Sequence, residues 1–299
     1  MSTSIYVELS SRGLIRAAGE EARSFLQGII SNDADKTGPD TAIYATLLTP
    51  QGKFLFDFII AELDGALLID CERARLPDLL KRLMFYRLRA KVELSDVSDD
   101  YKLFALFGGS ETDLLKLPAE PGKAAPTAGG VAFVDPRLAA LGARAILPAD
   151  GADAALEAAG FAAGNDADYD AHRLALGVPD GSRDMEVEKS FLLESNVDEL
   201  NGIDFHKGCY VGQELTARTK YRGNIRKRLF RVDIDGPLPE PGTPITLGEA
   251  NAGEMRSGRS GTGIALLRLE LVEKAAGSGE PLTAGAATLT PVKPDWVNF

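Results

Sequence analysis

The chain has 299 residues, 44% of them hydrophobic and 26% charged, with a formal net charge of -11 and two cysteines. This is an ordinary composition for a globular protein, and its acidic balance disfavours general binding to nucleic acid or to anionic membranes, so an anionic ligand needs a local basic patch. Cys71 and Cys209 are too few for a disulfide framework. No apolar run reaches the roughly 20 residues of a membrane span. The opening M-S-T-S-I-Y-V-E-L-S carries neither a secretory core nor an Arg-rich transit pattern, so the expected location is cytoplasmic.

Residues 5–9 alternate as a strand, and Gly19 to Ser31 reads as an amphipathic helix with Ala22, Phe25, Leu26, Ile29 and Ile30 on one face and Asn32 as its cap. Strand-rich sequence follows: 43–48, a turn at Thr49-Pro50-Gln51-Gly52, a long apolar strand over 53–62, and a hairpin signal at Asp64-Gly65 before 66–70. Pro77 opens a helix with Leu76, Leu79, Leu80 and Leu83 on one face, and 90–95 and 101–107 read as strands. Strands in hairpins with interspersed helices predict an α+β fold. The stretches 117–130 and 148–168 are soft surface loops, the second with a short helix near 151–159, and Asp168 to Leu176 is a helix stopped by Gly177 and Pro179. After a strand at 229–235, short strands at 244–248, 253–260, 262–271 and 282–290 between Gly-rich turns predict a small antiparallel barrel. The expected division is a region over 1–228, of two interwoven subdomains, followed by a barrel domain over 229–299.

The chemistry concentrates in Gly202 to Arg231. Ile203-Asp204-Phe205 reads as a strand end, Lys207-Gly208 as a turn, and Q-E-L-T-A-R from Gln213 as a helix with Glu214 in its first turn and Arg218 one turn on. Cys209 then sits at a strand–turn–helix junction between glycines 208 and 212, and the neighbouring Lys207 and the helix start are expected to favour a thiolate. His206 and Cys209 lack the partners of a closed zinc site, and one thiolate cannot hold a conventional cluster. No metal site is expected. From Leu215 to Phe230 the chain holds Arg218, Lys220, Arg222, Arg226, Lys227 and Arg228 and no acid.

The run Lys207-Gly208-Cys209-Tyr210-Val211-Gly212-Gln213-Glu214 resembles K-G-C-Y-x-G-Q-E, the signature of the YgfZ family of folate-binding proteins. That family includes a mitochondrial branch that helps mature iron–sulfur proteins. It is similar to the glycine cleavage T-protein, a tetrahydrofolate-dependent aminomethyltransferase with Asp in place of Cys209. F-L-Q-G-I-I-S-N-D, L-L-T-P-Q-G-K-F-L-F-D and H-R-L-A-L-G-V-P also resemble superfamily elements, and L-L-E-S-N resembles the element whose Glu holds the pterin. The resemblance implies a T-protein-like folate-binding region of antiparallel sheets with helices, plus the C-terminal antiparallel β-barrel. It implies tetrahydrofolate or a reduced derivative as cofactor, in a cavity near Glu194 and the Cys209 turn, with Cys209 and Lys207 carrying the chemistry. Glu194, Arg173, Gly208, Tyr210, Gly212, Gln213, Glu214 and Arg218 are the implied folate-binding residues, Arg173 being either structural or ligand-facing. The basic cluster would receive the folate glutamate tail.

The implied function is an accessory factor in assembly or repair of iron–sulfur proteins, with a consequent effect on tRNA modification. Its partners are folate and iron–sulfur client or assembly proteins, with no stable nucleic-acid binding and no membrane. The alternative is a folate-dependent one-carbon transferase like the T-protein. Against it stand Cys209 in place of Asp and the lack, in I-D-C-E-R-A-R-L-P-D, of a clear match to the N-A-G-containing stretch before the T-protein's catalytic Asp; Ala175, where the T-protein carries Glu, is a further departure.

Overall fold

The computed structural model describes residues 4–259 and 261–299. Met1–Thr3 of the N-terminal reading and Ser260, the end of the expected strand 253–260, lie outside the described residues. The chain forms two compact units.

The first unit comprises residues up to Pro50, Leu55–Tyr169 and Leu200–Gln213. Its strands are β1 (Ile5–Glu8), β2 (Arg12–Ala18), β3 (Ile43–Leu48), β4 (Phe54–Leu63), β5 (Ala66–Glu72), β6 (Glu93–Asp96), β7 (Tyr101–Phe107), β8 (Ala124–Thr127), β9 (Gly130–Val134), β10 (Ala143–Pro148) and β11 (Ala162–Ala163). Two sheets result, one ordered β11-β1-β7-β10-β9-β8 and the other β3-β4-β5-β2-β6. The β4–β5 hairpin turns at Asp64 and Gly65, both with positive φ (51° and 75°), as a tight Asp-Gly turn requires. Phe104, Leu106, Val134, Leu147, Leu156 and Phe161 pack one face of the first sheet.

The two sheets of this unit are tied by buried charges. Arg144 on β10 donates to Asp70 on β5 (2.7 Å) and to Asp135 (3.0 Å); Asp135 accepts three bonds from Arg137, two from its guanidinium and one from its backbone N–H; and Arg12 on β2 donates to Asp70 (2.6 Å). Burial alone would raise the Asp135 carboxyl, but Arg137 and Arg144 hold it below the usual carboxylate range. Removing one partner of such a network strands the others, so the cluster acts as one structural unit.

The second unit comprises Gln51–Phe54, Asp170–Glu199 and Glu214–Phe299. Here β12 (Lys227–Asp235), β13 (Pro244–Leu247), β14 (Ala250–Arg259), β15 (Thr262–Arg268), β16 (Leu282–Ala284) and β17 (Ala287–Val292) close a barrel in the order β12-β15-β14-β13-β16-β17. Alternate residues point inward, so Val232, Ile234, Ile245, Leu247, Met255 and Leu267 fill the interior. Arg228 is held by Asp198 (2.8 Å) and the Leu193 carbonyl (2.6 Å).

The α+β class and the C-terminal barrel stand as expected; several elements differ. The expected helix over Gly19 to Ser31 spans only Ala22–Gln27. Ile30 instead bridges Leu47, and the Ser31 N–H donates to Thr46, so β3 takes the chain that a longer helix would have used. Asn32 is no cap. β2, β8, β9, β10 and β11 are strands without a sequence expectation, β8 lying inside the 117–130 loop and β11 inside the 148–168 loop. The strand expected over 262–271 stops at Arg268, and Leu269–Ser278 is a helix whose Leu271, Val272 and Ala275 pack on the barrel.

Candidate functional site

Leu200–Gly212 is irregular chain, and Ile203–Phe205 is not the expected strand. Several of its backbone groups bond to side chains and to the 31–32 segment rather than to a sheet partner. The Asp204 N–H donates to the Ser31 carbonyl (3.0 Å), and the Ser31 hydroxyl donates to the Gly202 carbonyl (2.6 Å). Asp204 Oδ1 accepts from the N–H groups of His206 (2.6 Å) and Lys207 (3.0 Å), and Oδ2 pairs with Lys36 (2.7 Å). Burial would raise the Asp204 carboxyl; Lys36 and these two N–H groups together bring it below its ordinary value. Asn32 Nδ2 donates to the carbonyls of Tyr44 (2.7 Å) and Asn201 (2.8 Å). Gln27 accepts from the Ala34 N–H and donates to Asp33. Gln27 and Asn32 therefore shape the chain, and two stretches far apart in sequence, 25–33 and 201–213, are locked together.

Lys207 completes the lock. Its ammonium is buried, donates to the carbonyls of Ile30 (2.8 Å) and Asn32 (2.5 Å), and lies 5.2 Å from the Tyr210 ring centroid. Burial pulls its pKa down to about 8, with Asp33, Asp204 and Asp35 opposing. Two of its three N–H donors thus go to backbone oxygens, so the lysine positions the turn.

Cys209 stands exposed at the tip of that loop. Gly212 needs its freedom, with φ 79°. Gly208 does not: its φ is outside the left-handed region and a Cβ there would meet nothing within 4 Å. The turn is thus set by Gly212, Asp204 and Lys207, and Gly208 leaves open space beside the thiol. Tyr210 is buried, and its carbonyl accepts from the Gln213 N–H (3.2 Å) as helix Gln213–Arg222 begins. Cys71, by contrast, is buried on β5, where burial pushes its thiol up to about 12.

Lys207, Gly208, Cys209, Tyr210, Gly212 and Gln213 belong to the first unit, and Arg173, Glu194, Glu214 and Arg218 to the second. Arg173 takes the structural alternative. It is 2% exposed, and it donates to Asp170 (2.8 Å), the Val178 carbonyl (3.2 Å), Asp184 (3.1 Å) and Ser257 (2.9 Å), with no donor group left for a ligand. Glu194 is different. Its carboxylate is half-buried and accepts no hydrogen bond among the described residues; burial raises its pKa against Lys227, Lys53 and Arg228. An acceptor pair in that state suits the donor edge of an aminopyrimidine ring.

Glu214 and Arg218 are exposed on helix Gln213–Arg222. The basic cluster is divided: Lys220 and Arg228 share Asp198 as counter-ion, whereas Arg226 and Lys227, with Arg268, Glu270 and Glu273, line an open groove of about 760 Å³. The sequence reading missed the Arg12–Asp70–Arg144–Asp135–Arg137 cluster, whose one signal is Arg144 within the apolar strand A-R-A-I-L.

Residues 2–124 match the GCVT N-terminal domain, and residues 226–299 match the CAF17 C-terminal beta-barrel domain. The mouse iron–sulfur cluster assembly factor IBA57, mitochondrial, is 36% identical over 309 aligned residues, covering 96% of this chain and 84% of the mouse protein. The chain belongs to the IBA57 family. The human IBA57 is likewise 36% identical, over 89% of this chain and 78% of its own. The IBA57 relatives refine the resemblance to YgfZ: the chain falls in a related family with the same T-protein-like fold, not in YgfZ itself. They also overturn the cytoplasmic expectation, since the mouse and human IBA57 proteins are both designated mitochondrial. The glycine cleavage aminomethyltransferase T of Bartonella henselae superposes with a TM-score of 0.77 over 99% of this chain and 87% of its own, at 15% identity. That likeness establishes the fold alone.

Proposed function

We propose that this chain is an accessory factor in assembly or repair of iron–sulfur proteins, that it binds tetrahydrofolate or another reduced folate, and that it acts through Cys209, with consequent effect on tRNA modification. The observation that carries the reading is an exposed thiol on a loop locked by Asp204 and Lys207, in a chain of the IBA57 family. One thiolate supplies one of the four ligands a cluster takes. The cluster is therefore cargo whose other ligands come from client or assembly proteins, and the open space at Gly208 lets such a partner approach the sulfur.

For the folate, the residues present fit in part. Glu194 offers an unengaged carboxylate for the pterin edge, and Arg226, Lys227 and Arg268 offer cations for the glutamate tail. Arg173 does not take part. The folate would supply a reduced pterin to the site; what this chain's residues do is orient it and exclude water.

Calorimetric melting tests the folate reading. Tetrahydrofolate at 100 times its dissociation constant stabilises the fold by about 2.7 kcal/mol, and Glu194→Ala weakens that gain without unfolding the chain. A melting curve unmoved by millimolar reduced folates removes the folate from the proposal. Formation of methylene-tetrahydrofolate from an aminomethyl-lipoyl carrier by the Cys209→Ser variant would favour the transferase alternative.

A further inference from the structure

Helix Leu76–Arg87 buries Leu76, Leu79 and Leu83 against its unit, as an amphipathic helix should. Its solvent side is mixed: Asp78 and Lys81 are exposed there, but so are Met84 and Phe85, and Leu88 follows as the non-helical C-cap. Met84 is 47% exposed, Phe85 76% and Leu88 85%.

Leu88 is held there at a cost. It has φ 46° and ψ -106°. It occupies the first central position of a turn closed by the Ala90 N–H on the Arg87 carbonyl (2.8 Å). That conformation is the one a type II′ turn assigns to glycine, so a leucine in it is strained. The strain serves no packing, because the side chain stands in solvent.

Charge surrounds these apolar groups. From Leu79 to Val92 the chain carries Lys81, Arg82, Arg87, Arg89 and Lys91 and no acid, on a protein of net charge -11. Lys91 pairs with Glu20 and Arg87 reaches the Val92 carbonyl, while Lys81, Arg82 and Arg89 make no ion pair among the described residues. Acidic chain elsewhere and bare cations around exposed Phe, Leu and Met describe a surface that suits one kind of occupant: anionic below, apolar within.

We propose that this helix end, Lys81–Arg89, docks reversibly on the surface of an anionic phospholipid bilayer. Met84, Phe85 and Leu88 enter the interfacial region, and Lys81, Arg82 and Arg89 meet the headgroup phosphates. Phe85 and Leu88 stand in solvent beside cations without an ion pair among the described residues, which favours an anionic bilayer over a partner helix. The net negative charge repels the rest of the surface and so orients this helix end; the proposal departs from the expectation of no membrane partner. This is surface association, since no helix among the described residues is long and apolar enough to cross a membrane. The proposal stands apart from the folate and thiol reading.

Flotation of the full chain with vesicles tests it, one set of pure phosphatidylcholine and one with about a third phosphatidylglycerol, at low salt. The chain should float with the anionic vesicles and stay in solution with the neutral ones. Replacing Arg82 and Arg89 by Gln should weaken partition by about 25-fold, at roughly fivefold per cation. Phe85→Ser with Leu88→Gly should weaken it by at least ~10-fold. Leu88→Gly alone should at the same time raise the denaturation midpoint, because glycine relieves the turn. No flotation with either vesicle overturns the proposal, as does undiminished flotation of the Phe85→Ser, Leu88→Gly variant. A dimer in gel filtration that this variant dissolves would make the patch a protein interface and overturn it too.

Discussion

The C-terminal barrel and the Cys209 loop are built in opposite ways. In the barrel each strand pairs on both sides and alternate residues fill one apolar interior, so shape is shared among many similar contacts. In Leu200–Gly212 no residue is in a strand or helix, and the path is dictated by a few polar groups: Ser31, Asn32, Lys36, Asp204 and Lys207. The barrel loses stability side chain by side chain. The loop holds a precise shape through few contacts, and it presents an exposed thiol with no packing cost of its own.

The largest effect separating the two regions should come from the barrel interior. Leu267 is fully buried, and Leu267→Ala should cost about 2–5 kcal/mol in denaturant unfolding. A cost under about 1 kcal/mol would mean that the interior is loosely filled. Next is Asp204→Ala, which removes the acceptor of two backbone N–H groups and the Lys36 pair. A loss of about 1–3 kcal/mol is expected, with faster hydrogen exchange at His206 and Lys207 and unchanged exchange in β12 and β15. Exchange that rises equally in the barrel would show that the loop is not independently held.

Lys207 gives a smaller, pH-dependent signature. Its folded pKa of about 8 lies below the unfolded value of about 10.4, so between those values the unfolded chain binds more protons. Stability therefore climbs with pH across that window, and the climb should be missing in Lys207→Met. Identical pH profiles for the two proteins would contradict a buried ammonium. The smallest effect is expected at the thiol itself: Cys209→Ser should shift stability by less than about 0.5 kcal/mol. In the native wild-type protein Cys209 should alkylate while Cys71, buried with its thiol pushed up to about 12, stays unmodified until the chain unfolds.

The same contrast explains what the sequence disclosed. Period-two patterns are local, so β12 to β15 were legible from residues 229–271, as was the Asp64-Gly65 hairpin, whereas 282–290, which reads as one strand, is the β16–β17 hairpin turning at Gly285 (φ 60°). Helix Leu269–Ser278 was hidden because L-R-L-E-L-V reads equally as a strand; the arrest at Arg268 comes from barrel closure. Cys209 could be singled out because its neighbours K-G-C-Y-V-G-Q-E are distinctive. The posture of Lys207 was hidden, since its partners are the carbonyls of Ile30 and Asn32, more than 170 residues away. Arg173 looked equally structural or ligand-facing because three of its four partners, Val178, Asp184 and Ser257, are set by tertiary packing. Buried ion clusters of the Asp70–Arg144–Asp135 kind leave only an isolated charge in an apolar strand as a trace.

If the loop serves to present Cys209, loss of the thiol should be visible in cells by complementation. A strain lacking its own copy of this factor is supplied with wild-type or Cys209→Ser protein at matched levels, and the activity of an iron–sulfur enzyme is assayed in extracts. The wild-type chain should restore that activity, and the Ser variant, folded and equally abundant, should not. Full restoration by Cys209→Ser would contradict it and leave the thiol without a role in the proposed function.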